Sequence, residues 1–259
     1  VMTFVGLVTL WAWFLFGSGY RREVRWASVA CVLAAVGVLA VLFRIDHVSG
    51  ELVPTFAFRF SRKAESGAET PRPDVTRESV DLRTTTEFDF PQFLGPERDT
   101  SARGVKLARD WSARPPQLVW RHEIGPGWAA FSVVNGHAVT VEQSGPWEAV
   151  TCYNVKSGAL EWAHSTETRY ERMDAGVGPR ATPTIDEGLV YALGATGQLM
   201  CLDGATGKCR WEKSLLKEFG ISPEDERATI PWGRSNSPLV AGDLVIVPAG
   251  GPKDGNKVS

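Results

Sequence analysis

Cysteine is scarce: the 259-residue sequence has four, Cys31, Cys152, Cys201 and Cys209, none in a CxxC or CxxCH arrangement and no two adjacent. That excludes zinc-ribbon, thioredoxin-type and c-type haem readings. The four histidines, His47, His122, His137 and His164, are scattered without HExxH or any other ligand spacing, so none is assigned to catalysis or to a metal. No Gly-x-Ser-x-Gly elbow occurs. Gly204-Ala205-Thr206-Gly207-Lys208 has the look of a phosphate loop, but the first glycine of that motif is replaced by Leu202. Charge of either sign is not in excess: 28 Lys and Arg face 30 Asp and Glu, a formal net charge of -2. No basic field therefore points to nucleic acid. The sequence alone assigns no catalytic residue and no metal ligand.

Long stretches also lack charge. Val1 to Phe16 has none, and Trp26 to Phe43 is a second uncharged run of 18 residues. At about 1.5 Å per residue the second run extends about 27 Å, close to a hydrocarbon core of roughly 30 Å. The first run is short for a span. The reading is two transmembrane helices joined by a short loop that carries Arg21, Arg22 and Arg25. Basic loops stay on the cytoplasmic side, so both ends face outward; in a bacterium that is an inner-membrane anchor with the rest of the chain in the periplasm. Arg44, Arg59, Arg62 and Lys63 count against this orientation. A cleaved leader is disfavoured because the run ends Val41-Leu42-Phe43-Arg44. A lipoprotein site at Cys31 is disfavoured by the apolar residues that follow it.

From residue 45 to 89 the chain reads as a polar linker. Its Glu69-Thr70-Pro71-Arg72-Pro73-Asp74 stretch has extended, polyproline-like character. Residues 1–44 are then the anchor and 90–259 the folded domain. The chain begins with Val and stops at Lys257-Val258-Ser259 inside an unfinished pattern, as a fragment would.

What is abundant is tryptophan, at 10 residues, with 26 Gly and 16 Pro for turns. Asn154-Val155-Lys156-Ser157-Gly158-Ala159-Leu160-Glu161-Trp162 aligns without gaps to Asp203-Gly204-Ala205-Thr206-Gly207-Lys208-Cys209-Arg210-Trp211, 49 residues on. Trp120 lies 42 residues before Trp162 and ends an earlier unit. A second element recurs with nearly the same period: Ser132-Val133-Val134-Asn135-Gly136, Pro183-Thr184-Ile185-Asp186-Glu187-Gly188, and Pro238-Leu239-Val240-Ala241-Gly242-Asp243. Each is followed by an apolar strand. Asn or Asp bonds the turn's own N–H groups, Gly takes the positive φ, and Trp is an inter-blade wedge. A period of about 40–55 residues with short strands is that of a β-propeller blade, whose faces are buried only by stacking. The fold class is all-β: about three propeller blades after two transmembrane helices.

The Trp-ended turn resembles the tryptophan-docking repeat of quinoprotein (PQQ-like) β-propellers, shared by quinoprotein alcohol dehydrogenases and BamB-type outer-membrane assembly lipoproteins. Phe90-Pro91-Gln92-Phe93-Leu94-Gly95-Pro96-Glu97-Arg98-Asp99, Pro179-Arg180-Ala181-Thr182-Pro183-Thr184 and Trp232-Gly233-Arg234-Ser235-Asn236-Ser237-Pro238-Leu239 are similar to segments of membrane-anchored, planctomycete-type members. Two departures stand out: Cys152 and Cys201 replace the usual Ala, and Asn154 and Ser157 replace Asp and Thr.

The resemblance implies two functions. One is a binding or scaffolding module of the cell envelope with protein partners. The alternative is a PQQ-dependent alcohol or sugar dehydrogenase, which implies PQQ with calcium, a carboxylate base and often a disulfide of adjacent cysteines. No such cysteine pair is present here, and a ring of seven or eight blades needs more than roughly 300 residues.

The expected ligand surface is the channel mouth just before each opening strand: Trp128, Arg180, Trp232, Arg234, Ser235 and Asn236, with Phe131 nearby. The competing reading is that these groups bond loop carbonyls and pack between blades. Residues 214–225 form an insertion with a short helical stripe of Leu215, Leu216 and Phe219. If Leu202 pairs with Lys208, then Cys201 faces Cys209 across a hairpin and a periplasmic disulfide is in reach; otherwise both are small core residues.

Overall fold

The computed structural model describes residues 2–48, 53–61, 80–102 and 104–249. They fall into two units, Val1–Lys63 and Ala64–Ser259.

In the first unit the apolar runs form α1 (Met2–Gly17) and α2 (Arg22–Leu42). Arg25 Nη1 donates to the Leu15 carbonyl at 2.9 Å, and Ser18 Oγ donates to that of Phe14 at 2.5 Å. Carbonyls that a helix end leaves without partners are thereby satisfied. Only α2, with 21 residues, has the length and hydropathy to cross a membrane among the described residues. This narrows the two-span expectation. The 16 residues of α1 extend about 24 Å, short of a roughly 30 Å core.

The polar-linker reading also needs correction. A hairpin, β1 (Phe43–Val48) and β2 (Pro54–Phe58), follows α2 directly. At the far end of the supposed linker, Val80 and Leu82 are 6% and 3% exposed in the core of the second unit. Isolated apolar residues in a polar run have no period and so leave no pattern in the sequence. Arg62, Lys63 and the Pro-rich stretch lie outside the described residues.

The second unit is built from antiparallel meanders. One four-stranded sheet runs β3 (Ser132–Val134), β4 (His137–Ser144), β5 (Trp147–Asn154), β6 (Leu160–Glu167). After the short pair β7 (Glu171–Arg172) and β8 (Gly176–Val177), a second runs β9 (Thr184–Asp186), β10 (Leu189–Leu193), β11 (Gln198–Asp203), β12 (Cys209–Ser214). Two short helices, α3 (Leu215–Glu218) and α4 (Pro223–Thr229), precede a two-stranded sheet, β13 (Leu239–Ala241) and β14 (Leu244–Ile246). The expected three blades are thus two complete sheets and a two-stranded third; no closed ring occurs among the described residues. β4 and β5 are buried over most of their length, so both of their faces are covered, one of them by the other sheet. The core joins Val139, Val150 and Trp162 of the first sheet to Val190, Met200 and Leu202 of the second.

Both repeated elements act between sheets. Trp162 Nε1 donates to the Gly204 carbonyl at 2.9 Å, and its ring lies over Gly207. Trp120 Nε1 donates to the Val155 carbonyl at 2.8 Å, and its ring lies over Gly158. Each tryptophan therefore docks on the turn of the following sheet. Gly207 has φ +71°, and a Cβ there would stand 2.7 Å from the Trp162 ring. Conformation and contact both demand glycine. Asp203 Oδ1 accepts from Ala205 N, Thr206 N and Thr206 Oγ1, and Asn154 Oδ1 accepts from the corresponding groups of Lys156 and Ser157.

The opening elements form a second ladder along the innermost strands. Ser132 Oγ donates to the Pro183 carbonyl at 2.6 Å, and Thr184 Oγ1 donates to that of Pro238 at 2.6 Å. Ala130 N donates to Thr182 Oγ1, and Thr182 N to Ser237 Oγ. Phe90 exchanges two hydrogen bonds with Val133, adding one more bridge at that edge.

Candidate ligand face at the loop ends of the sheets

The meander places the Asn154–Gly158 and Asp203–Gly207 turns at one end of each sheet, and the β4–β5 and β10–β11 turns at the other end with the inter-sheet links. The link end gathers residues 168–183, the β10–β11 turn around Ala195 and Thr196, and the segment 215–238 between β12 and β13, which includes most of the insertion. A cleft of about 280 Å³ opens there, lined by Arg169, Tyr170, Arg172, Thr196, Glu226 and Arg227 among others. Hydrogen bonds set its walls: Gly178 N donates to the Tyr170 carbonyl, Arg234 N to that of Ala195, and Tyr170 Oη to that of Pro231.

The expected mouth residues fall into three groups. Arg180 lies between two rings, its Cζ 5.8 Å from the centre of Trp128 and 5.3 Å from that of Tyr170, and donates to the Ala175 carbonyl. Such cation–π stacking fixes a side chain more than it offers it. Arg234 is 3% exposed; Nε and Nη2 reach Glu226 at 2.7 and 3.0 Å, and Nη1 reaches the Pro248 carbonyl at 2.9 Å. It clamps the insertion to the third sheet. Trp128 and Trp232 are 67% and 57% exposed, and Ser235 and Asn236 are also exposed. Sequence reasoning missed the other cleft residues, Tyr170, Arg172 and Arg227, because no motif contains them; the link and the insertion are brought together only by packing.

The charges around the cleft are largely met within the chain. Arg169 pairs with Glu171 at 2.8 Å, and Arg172 grips both oxygens of Asp174 at 3.0 and 3.2 Å. The hydrogen bonds from Arg172 hold the Asp174 carboxyl below the usual carboxylate range.

Glu148, at the start of β5, is different. It is 2% exposed; Oε2 accepts from Ala195 N at 3.2 Å and Oε1 has no hydrogen-bond partner. A Cβ on Gly194 would collide with that free oxygen, so glycine is needed for the turn to close over the carboxyl. Burial pushes the Glu148 carboxyl up from 4.5 to about 7, against the pull of the Ala195 N–H. A raised acid pKa means that the folded state holds its proton where the unfolded chain has lost it. Stability then falls as pH rises from about 4.5 to 7, at up to about 1.4 kcal/mol per pH unit, or about 3 kcal/mol in all. Below that window the proton is bound in both states and nothing is lost. Glu148→Gln is expected to remove this slope and to be more stable than the parent at pH 8 by about 2–3 kcal/mol. Chemical denaturation of both proteins across pH 4–8 checks this; identical slopes would refute it.

At the opposite end of the first sheet, cross-strand register assembles His137, Cys152 and Glu161, whose donor atoms lie within 4.8 Å of one another. A β-bulge after Cys152 leaves Glu161 without a cross-strand partner and lets it reach His137, Asn154 and Cys152. The His137 Nδ1 to Glu161 Oε2 separation is 2.6 Å. Donors on a tetrahedral zinc, with bonds near 2.1 Å, stand about 3.4 Å apart. The geometry is therefore that of a hydrogen-bonded set, with the buried Cys152 thiol pushed far up by its burial. At the matching bulge of the second sheet, Arg210 pairs with Asp203 at 2.6 Å. Both bulge residues thus brace the opening residue of their turn.

All four cysteines are free thiols. The bulge pairs Leu202 with Cys209 and Cys201 with Trp211, instead of Leu202 with Lys208. Cys201 is buried and Cys209 exposed, so the register that a disulfide requires is not formed.

Parts of the chain are similar to known proteins. Residues 146–258 match the family model PQQ_2, described as "Outer membrane protein assembly factor BamB". The 1-butanol dehydrogenase (cytochrome c) of Thauera butanivorans is 25% identical over 154 residues, covering 56% of this chain and 20% of that protein; the chain spans about a fifth of that curated relative. Among solved structures, quinohemoprotein alcohol dehydrogenase from Comamonas testosteroni aligns over 64% of this chain and 24% of its own, at 20% identity and TM-score 0.43. BamB from Moraxella catarrhalis aligns over 37% of this chain and 26% of its own, at 23% identity and TM-score 0.29. Residues 146–258 are thus similar to the BamB-described PQQ_2 repeat, and 154 residues of the chain are similar to part of an alcohol dehydrogenase.

Proposed function

We propose that this chain is a membrane-tethered PQQ-like module that binds a protein partner in the bacterial cell envelope. In this reading α1 and α2 cross the inner membrane, Arg21, Arg22 and Arg25 hold their connection on the cytoplasmic side, and the sheets work in the periplasm. The observation that carries the reading is the link-end cleft. Its charged walls are fixed by pairs within the chain, while Trp128, Trp232, Ser235 and Asn236 are exposed around the same loops. A rigid polar cleft with exposed aromatics suits a protein surface, since Trp and Arg are frequent anchors of interfaces.

The quinoprotein reading is kept as a second proposal because of the 1-butanol dehydrogenase relative. The described residues do not by themselves assemble its cofactor site. Around the cleft, Glu171, Asp174 and Glu226 are paired with arginines, and Glu148 is enclosed beneath Gly194.

The purified chain, given PQQ, calcium and a panel of alcohols and sugars, is expected to reduce no electron-acceptor dye. Quinone-dependent reduction would replace the binding reading by the second one. A photo-crosslinking residue in place of Trp232, used in cells, is expected to give a discrete adduct with an envelope protein that Arg172→Glu abolishes. An adduct insensitive to that change would place the contact elsewhere. Extraction of membranes with carbonate is expected to leave the chain in the pellet; its release would remove the tether.

A further inference from the structure

The β1–β2 hairpin is built inside out for water. Phe43 pairs with Phe58, Ile45 with Phe56, and between them Arg44 pairs with Ala57. Residues opposite one another share a face and successive residues alternate faces. One face is therefore Phe43, Ile45, Phe56 and Phe58, and Phe60 joins it through an edge-on contact with Phe58 at 5.6 Å. The other face carries Arg44 and Ala57. Exposure runs opposite to polarity: the five apolar side chains are 38%, 45%, 62%, 44% and 68% exposed in the order Phe43, Ile45, Phe56, Phe58, Phe60, whereas Arg44 and Ala57 are partly covered. A lone two-stranded hairpin is marginal in water, and an aromatic face turned outward does nothing to hold it there.

Its attachment identifies what covers that face. β1 begins at the residue after α2 ends, so the hairpin leaves the end of the apolar helix without a spacer. Arg59 folds back on that end, its N–H donating to the Leu42 carbonyl at 2.7 Å and its Nη2 to the Ala40 carbonyl at 3.2 Å. The hairpin is thus tied to the last turn of the helix, at the level where a membrane-spanning helix meets the headgroups. Aromatic side chains concentrate at that level, and arginines there reach lipid phosphates.

We propose that the hairpin is an interfacial element that rests with the Phe43–Ile45–Phe56–Phe58–Phe60 face in the acyl–headgroup boundary and the Arg44 face toward the phosphates. The inference rests on the reading that α2 spans a membrane. In this role the hairpin fixes the direction in which the chain leaves the bilayer.

Spin labels on the 259-residue chain, reconstituted in phosphatidylglycerol–phosphatidylcholine vesicles, test it. Cys209→Ser removes the exposed thiol outside α2, the native Cys31 is the control site within the helix, and hairpin labels at Phe56→Cys, Ala57→Cys and Phe60→Cys are placed in a Cys31→Ser background. The expected result alternates: labels at 56 and 60 are reached severalfold better by oxygen than by a water-soluble nickel chelate, and the label at 57 shows the reverse. Equal water access at 56, 57 and 60 with a lipid-exposed Cys31 overturns the interfacial hairpin and keeps the spanning helix. Water access at Cys31 overturns the spanning reading itself. A label at 56 shielded from both reagents shows the face packed on protein and also overturns the proposal.

Discussion

Trp162→Ala is expected to destabilise the second unit by about 4 kcal/mol, within the range for emptying a buried tryptophan site. Trp162 is 0% exposed, and its ring is held between its own sheet and the glycine turn of the next. Truncation opens a cavity that the flanking sheets cannot close, because their spacing is also set by the inner ladder from Ser132 to Pro183 and from Thr184 to Pro238. It also strands the Gly204 carbonyl, which accepts the indole N–H. Trp211 occupies the same place in the repeat but is 38% exposed and leans on Tyr191 with ring centres 6.2 Å apart. Trp211→Ala is expected to cost about 1 kcal/mol in this chain. Denaturant midpoints of the three proteins, at equal m-values, check the difference. Equal losses at the two positions would show that the tryptophan matters to its own sheet and not to the docking of one sheet on the next.

A loss of similar size is expected for Arg234→Ala. Its guanidinium is bidentate to Glu226, which is 9% exposed, and also reaches Pro248. Removing one member of a buried pair leaves the other charged and unpaired, at a cost of about 3–5 kcal/mol. Arg234→Lys is expected to recover little, because an ammonium does not reproduce the planar fork. Arg234→Met with Glu226→Gln is expected to recover most of the loss, since the stranded charge goes with the pair. Hydrogen exchange should show the damage in α4, where Glu226 sits. The same experiment separates the two roles foreseen for this arginine. A ligand-facing group would leave stability within about 0.5 kcal/mol of the parent, and a clamp would not.

The repeat residues carried most of the fold. Asn154, Gly158, Asp203, Thr206 and Gly207 define turns through bonds within five residues of chain, so local chemistry suffices to read them. The opening strands and the period of the tryptophans then implied stacked sheets. Where the interaction is not local, the sequence was silent or misleading. Trp162 and Trp211 are equal as motif members, and burial alone separates them. For Arg180 and Arg234 the sequence left a ligand role and a packing role both open; only packing shows one held between two rings and the other locked to Glu226. Cys201 and Cys209 faced each other in a regular register, and a one-residue bulge moved Cys209 opposite Leu202.

The amino-acid sequence by itself thus determined the repeated β units, their turns and the apolar helices, because these depend on periodicity and on residues close along the chain. The tertiary structure decided which tryptophan is docked, which charges are paired, that Val80 and Leu82 belong to the core, and that an aromatic hairpin follows α2. Each of these depends on which distant segment lies opposite, and for the second unit that is set by the stacking of one sheet on the next.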